Sequence, residues 1–342
     1  MAAMRLPDDR GWLGRRIGRH PVAASLIAVL VLGAIIVGLA YQRFASQQRP
    51  DPDFIARVER PAYVAEHPTV LIDAAHENFH TATGNYRAFA ELLRHDGYEV
   101  VGNRNRFSAV TLAGARVLVI ANALGARGVL AMLADLVGFH RALDWDFQAF
   151  SSAEADAVRD WVAAGGSLLL IADHAPMGKA ARALAERFGV EMVNCFTEDD
   201  KHCVPDHYSW LVFSRDSGTL LAHPVTDGRG PDERVNTAIA FTGQSLKGPP
   251  GSIPFLSLAA TARDYPTRQS TYSEGRSAAG RSQGVALKYG RGRVVVLGEA
   301  AMLTAQVFRP PGQEVRLGME YPGSDDRQLA LNILHWLSGL TN

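Results

Sequence analysis

The side chains best suited to chemistry stand just past short apolar runs with β character. The run at residues 69–74 (TVLIDA) leads into Asp73, His76, Glu77, Asn78 and His80, and residues 116–121 (RVLVIA) lead into Asn122. Residues 167–172 (SLLLIA) are followed at once by Asp173 and His174, and residues 293–298 (RVVVLG) by Glu299. In an open parallel sheet, ligands bind outside the carboxyl ends of the strands, so these positions can converge on one site. Asp, His and Glu supply the oxygen and nitrogen ligands of Zn, Mn or Fe. Asp73, His76 and His80 on one loop, with Asp173 and His174 on another, predict a divalent-metal site. A metal there would lower the pKa of bound water to about 7, and Glu299 would act as general base. Two other readings of the same residues stay open. The first is a ligand pocket without chemistry, with Asp73, His76, Asn78, His80 and Asn122 as its contacts. The second is structural capping of strand and helix ends, for which Asp, Asn and Thr are well suited.

Other nucleophilic chemistry is poorly provided for. There is no G-x-S-x-G elbow, and the turn after SLLLIA carries Asp173-His174 rather than a nucleophile. The two cysteines, Cys195 and Cys203, enclose CFTEDDKHC. In an oxidising compartment they are expected to form a disulfide, which stabilises by roughly 2.5 kcal/mol on the loop-entropy model. The alternative is a zinc knuckle that adds His202 or His207.

The elements that must position these residues read as α/β. A helical pattern at residues 84–95 sets Tyr86, Phe89, Ala90 and Leu93 on one face and stops at Gly97. Ser151 and Glu154 form an S-x-x-E capping box, which opens a helix running to Gly165-Gly166. A helix at 179–188, a strand at 190–193 and a final helix at 325–337 follow. Continuous apolar strands between helices indicate a parallel sheet covered on both faces. Residues 285–289 and 293–298, joined by Gly290-Arg291-Gly292, read as a hairpin, and 235–241 as a further β run. Two stretches break the alternation and read as insertions. Residues 123–150 hold a short apolar helix (VLAMLADLVGF) and Asp144-Trp145-Asp146, and residues 194–234 look loop-like. The run 263–281, with four arginines among Ser and Gly, reads as a solvated loop.

The chain has 342 residues with 35 basic and 35 acidic side chains, a net charge of zero that hides a split. Residues 1–49 hold seven arginines against Asp8 and Asp9, leaving the remainder mildly acidic, which argues against nucleic-acid binding. Residues 21–42 contain no charge, and at ~1.5 Å per residue they span about 33 Å, enough to cross a bilayer core. Five arginines precede this run, so the positive-inside rule predicts a cytoplasmic segment 1–20, a transmembrane helix 21–42 and an extracytoplasmic body. This places the protein in the cytoplasmic membrane as a single-pass protein. A cleaved signal peptide is the alternative, although the apolar run is longer than the usual h-region. Residues 43–67 read as a tether, and 68–342 as the body.

The order of parts resembles a known family. LIDAAHENFHT with its helix, VLVIAN, the capped helix leading into WVAAGGSLLLIADH, and then HPVTDG, FTGQSL and GRGRVVVLGEAAML resemble a bacterial domain-of-unknown-function group. That group belongs to the class I glutamine amidotransferase-like superfamily, with relatives among gliding-motility ABC-transporter auxiliary proteins and intraflagellar-transport GIFT domains. The likeness spans roughly residues 68–338. It implies a flavodoxin-like sheet in which SLLLIA leads to the superfamily's nucleophile turn. The catalytic Cys of that turn is replaced here by Asp173-His174, and of the His and Glu that complete the triad only Glu299 has a counterpart. Together with the anchor and the polar strand-end pocket, the missing Cys leads to the expectation of a membrane-anchored domain that binds a small ligand or partner without amidotransferase chemistry, as an accessory of an ABC-type transporter or envelope system. The metal-dependent hydrolase and the structural interaction module are the rival expectations.

Overall fold

The computed structural model describes residues 49–342 except 137, 269 and 309–313, together with residues 25, 27 and 31–33. The predicted segments 1–20 and 21–42 therefore lie almost wholly outside the described residues. No described helix is long and apolar enough to cross a membrane.

The centre of the body is a nine-stranded mixed sheet. Its strands are β1 (Thr69–Asp73), β2 (Glu99–Asn103), β3 (Val117–Ala121), β4 (Ser167–Ile171) and β5 (Glu191–Met192), then β6 (Leu246–Lys247), β7 (Ile253–Ser257), β8 (Ser282–Tyr289) and β9 (Gly292–Leu297). The spatial order is β2-β1-β3-β4-β9-β8-β6-β5, with β7 also paired to β8. The five strands from β2 to β9 are parallel. They repeat the 2-1-3-4-5 order of doubly wound flavodoxin-like folds, whose ligand crevice opens at the carboxyl ends where the winding reverses.

Alternation within the strands explains the two layers. Val117, Val119, Leu169, Ile171, Val295 and Leu297 pack under helices α1 (Arg87–His95) and α5 (Asp326–Ser338). The intervening Leu118, Ile120, Leu168, Leu170, Val294 and Val296 face α3 (Ser152–Ala163) and α4 (Met177–Glu186), with α2 (Gly125–Leu136) beside them. Successive side chains point to opposite faces of a strand, so a run apolar at every position must be covered on both. The predicted hairpin is β8–β9, paired antiparallel from Gly284↔Leu297 to Tyr289↔Gly292.

The structure corrects several boundaries. The stretch read as a tether is part of the body from Arg49 onward. Arg49 and Pro50 pair with Val307 and Gln306, Asp51 is buried beside Arg316, and Phe54 and Ala56 join the core. Residues 194–234 are not a loop: His207–Ser214 pairs with both Cys203–Val204 and Thr237–Phe241 in a separate three-stranded sheet. The 235–241 run is thus a strand, but it lies outside the central sheet. Phe196–Glu198 forms another small sheet with Arg263–Tyr265 and Arg276–Ser277, so part of the presumed solvated loop is ordered β structure. Backbone pairing across distant stretches rescued segments whose local sequence shows no regular period.

Candidate functional site

At the carboxyl edge of the sheet the predicted residues divide into two groups. The inner group is Asp73, His76 and a partner not expected there, Glu154. The His76 ring is fully buried and donates from Nδ1 to Asp73 Oδ2 (2.8 Å) and from Nε2 to Glu154 Oε1 (2.9 Å). Phe107 and Phe150 pack on the ring at centroid distances of 4.5 and 4.8 Å. Burial opposes the imidazolium, but the hydrogen bonds and charges of Asp73 and Glu154 outweigh it and raise the His76 pKa. Burial likewise raises Glu154, yet His76 and Ser151 overcome it and bring the carboxyl down to about 2. The predicted capping box is present: Glu154 N–H donates to Ser151 Oγ (3.3 Å), and Ser151 N–H to Glu154 Oε2 (3.0 Å). One carboxylate therefore caps α3 with one oxygen and grips the loop after β1 with the other. Asn78 fixes that same loop by accepting from His76 N–H (3.1 Å).

The outer group comprises Asn122, Asp173, His174 and Glu299, joined by Tyr86 and His80. Asn122, at φ 50°, stands at the end of β3 and accepts from Asp173 N–H (2.9 Å). Asn tolerates that left-handed backbone better than most residues. Glu299 is buried and accepts from Ala301 N–H (2.6 Å) and Met302 N–H (2.8 Å). Burial and the Asp173 charge nevertheless push its carboxyl well above the usual range. Burial also raises Asp173, against the pull of His174, Arg268 and Asn122. Tyr86, which donates to Ala300 O (2.9 Å), is raised by burial and then by both carboxylates. His80 stacks on Tyr86 at 4.8 Å, and burial pushes its pKa down to about 3. Two buried carboxylates of raised proton affinity at neighbouring strand ends mark a functional-site candidate.

Three residues of this edge carried no clear signal in the sequence. Gln244, within FTGQSL, is fully buried and donates to Ala172 O (2.8 Å) and Asp173 O (2.9 Å) while accepting from Asn194 N–H (2.7 Å). Gly178 makes room for it, since a Cβ there would collide with the Gln244 amide group. Arg268, from the run read as a solvated loop, donates to His174 Nε2 (3.1 Å) and lies over Phe196 at 5.3 Å. Phe196 in turn stacks on His174 at 4.6 Å. His174 Nδ1 donates to Ala175 O (2.8 Å), which leaves the Nε2 lone pair for the guanidinium. Beyond Phe196 on the same short strand, Glu198 enters a cavity of about 300 Å³ lined also by Arg263, Tyr208, Tyr265 and Tyr272. Larger cavities, among them two of about 650 and 640 Å³, are lined by other residues.

The predicted metal centre is not formed by these side chains. Among the described residues no group of three or more His, Cys, Asp or Glu is arranged to hold a metal ion. Both His76 nitrogens are committed to carboxylates, His80 lies flat against Tyr86, and Asp173 and His174 belong to the other group. The predicted disulfide is also absent: Cys195 and Cys203 are free thiols. Cys195 is buried beside Thr197, 3.7 Å from its hydroxyl, whereas Cys203 lies in the strand paired with His207–Ser214. Burial, reinforced by Asp264, pushes the Cys195 thiol up to about 12, so it is no nucleophile at neutral pH.

No protein-family model and no curated protein sequence matches the chain. Among solved structures it is similar to the N-terminal domain of mmIFT52, with a TM-score of 0.54 at 14% identity, covering 79% of this chain and 97% of that one. It is also similar to a ThuA-like protein from Bacteroides uniformis (TM-score 0.38, 11% identity, covering 82% of this chain and 93% of that one). A third structure is a GMP synthase protein from Thermoplasma acidophilum (TM-score 0.40, 10% identity, covering 81% and 97%). The body is a mixed α/β domain similar in fold to the N-terminal domain of mmIFT52. At these identities the likeness concerns the fold alone.

The two groups of charges respond differently to mutation and pH. His76→Ala leaves Asp73 and Glu154 buried without their cation and is expected to cost about 3–5 kcal/mol in urea unfolding. The raised His76 pKa means its contribution is complete below pH 6.5 and lost as pH rises through the folded value; Glu154's is complete above 4.5 and lost as pH falls toward 2. The gap between wild type and His76→Ala should therefore be widest between those limits. At the outer pair the sign reverses. Asp173→Asn removes a carboxyl that burial disfavours in its charged form and whose charge raises Glu299, so it should raise the melting temperature near neutral pH. That gain should vanish on acidification below about pH 4, where wild type has taken up its protons in both states.

Proposed function

We propose that this chain is a membrane-anchored, extracytoplasmic domain of glutamine amidotransferase-like fold that binds a small ligand or a partner and does not hydrolyse glutamine. It would serve as an accessory of an ABC-type transporter or another envelope system. One observation carries the reading. The turn after β4 presents Asp173-His174, and the one thiol near it, Cys195, is buried and held protonated. Thioester chemistry needs an accessible thiolate with a base beside it, and this edge supplies neither. What it supplies is a recognition group: the His174 imidazole, the Arg268 guanidinium and the Phe196 ring, next to the tyrosine-lined cavity. The buried carboxyls of Asp173 and Glu299, both raised by burial and Glu299 further by the Asp173 charge, support a binding role as well, since buried ionisable groups kept at a cost to stability commonly serve a site. The anchor rests on the uncharged run 21–42 and the arginines before it.

The full chain incubated with glutamine should release ammonia no faster than buffer, and Cys195→Ala should not change that rate. Ammonia release abolished by Cys195→Ala would overturn the reading. For topology, alkaline phosphatase fused after Asn342 should be active in cells and fused after Arg16 inactive; the reverse pattern would place the body in the cytoplasm.

A further inference from the structure

The apolar helix within residues 123–150 is only half buried, and its free face calls for a partner. Gly128 and Ala131 of α2 pack inward, while Leu130 and Leu133, one helical turn apart, are 58% and 55% exposed. The 3₁₀ turn His140–Asp144 packs against α2, and Phe139 (52% exposed) and Trp145 (39%) flank it with their rings 6.1 Å apart. Four large apolar side chains thus lie bare within sixteen residues of chain. Other exposed large apolar residues, such as Ile55, Val64 and Val110, are isolated along the sequence. Large apolar side chains left bare on a helix and on the turn packed against it mark an interaction site.

We propose that this face rests on the surface of the lipid bilayer. The inference rests on the anchor proposed above and adds a second point of contact. Seven residues, 43–49, connect the end of the uncharged run to the strand held on the body, a reach of about 25 Å at roughly 3.3–3.6 Å per residue. The chain joins the body at the carboxyl edge of the sheet: Asp51 N–H donates to Ala305 O (2.9 Å), and Arg87, at the start of α1, donates to Asp51 O (3.2 Å). Helix α2 starts from that same edge, where Leu124 and Gly125 N–H both donate to His76 O. An anchored bilayer therefore lies within a short reach of the edge at which α2 begins. The face has the make-up of an interfacial element, with Leu for the acyl boundary and Trp and Phe for the headgroup level. Arg127 and Arg141 are outnumbered by Asp135, Asp144 and Asp146, so the attachment is apolar and needs no anionic lipid.

The test uses the full chain in vesicles of zwitterionic phosphatidylcholine, with and without bromine on the acyl chains. Trp145 emission is taken as the difference between wild type and Trp145→Phe. Bromine should quench this component about twofold or more, at low and high salt alike. Leu130→Asn/Leu133→Asn should abolish the quenching with near-UV circular dichroism unchanged and the protein still in the vesicle pellet. Protein retained through a carbonate wash but with Trp145 unquenched would overturn the docking and leave the anchor standing. Trp145 shielded from acrylamide but not quenched by bromine, together with a doubled mass, would assign the face to a second copy and also overturn it. Protein released by carbonate would overturn anchor and docking together.

Discussion

A single imidazole between two buried carboxylates ties the carboxyl edge of this fold together. His76 joins Asp73, at the end of the strand beside the winding reversal, to Glu154, at the first turn of the helix that precedes the next parallel strand. Without that cation the two carboxylates would be desolvated and uncompensated, a far larger cost than a surface ion pair could offset. The His76 backbone carbonyl also accepts from Leu124 and Gly125, so the same residue starts the helix after β3. Loop, helix start and strand end share one fixed point, and the outer group is assembled against it.

The outer edge has a different physical character. Its polar groups are satisfied mostly by backbone: Glu299 by two amides, and Gln244 by two carbonyls and an amide. Burial raises the proton affinity of both Asp173 and Glu299, and the Asp173 charge raises that of Glu299 further. The inner strut differs in that its two carboxylates share the His76 imidazolium, with the Arg106 guanidinium 3.5 Å from Glu154. The same strand ends therefore hold two assemblies of different electrostatic character.

Much of this was legible from local pattern. The strands β1, β3, β4 and β9, the helices between them and the Ser151–Glu154 cap follow from periodicity and cap chemistry, which act within one turn or one strand. The short pairings of Arg49–Pro50, Cys203–Val204 and Phe196–Glu198 did not, because two- and three-residue strands hold only through partners far along the chain. The free cysteines illustrate the same limit: nine residues of spacing permit a disulfide, but Cys195 is drawn into a buried network with Thr197 while Cys203 is taken by a separate sheet.

The amino-acid sequence by itself determined the α/β class, the placement of polar residues at the strand ends and the Asp173-His174 pair directly after the SLLLIA strand, because these depend on residue type and short-range period. Only the tertiary structure decided which of those residues meet. His76 has the chemistry of a metal ligand until Glu154, seventy-eight residues away, occupies its second nitrogen. Arg268 has the composition of a solvated loop until packing brings it over Phe196 and against His174. A side chain's role at such an edge is set by which partner satisfies it, and that partner comes from elsewhere in the chain.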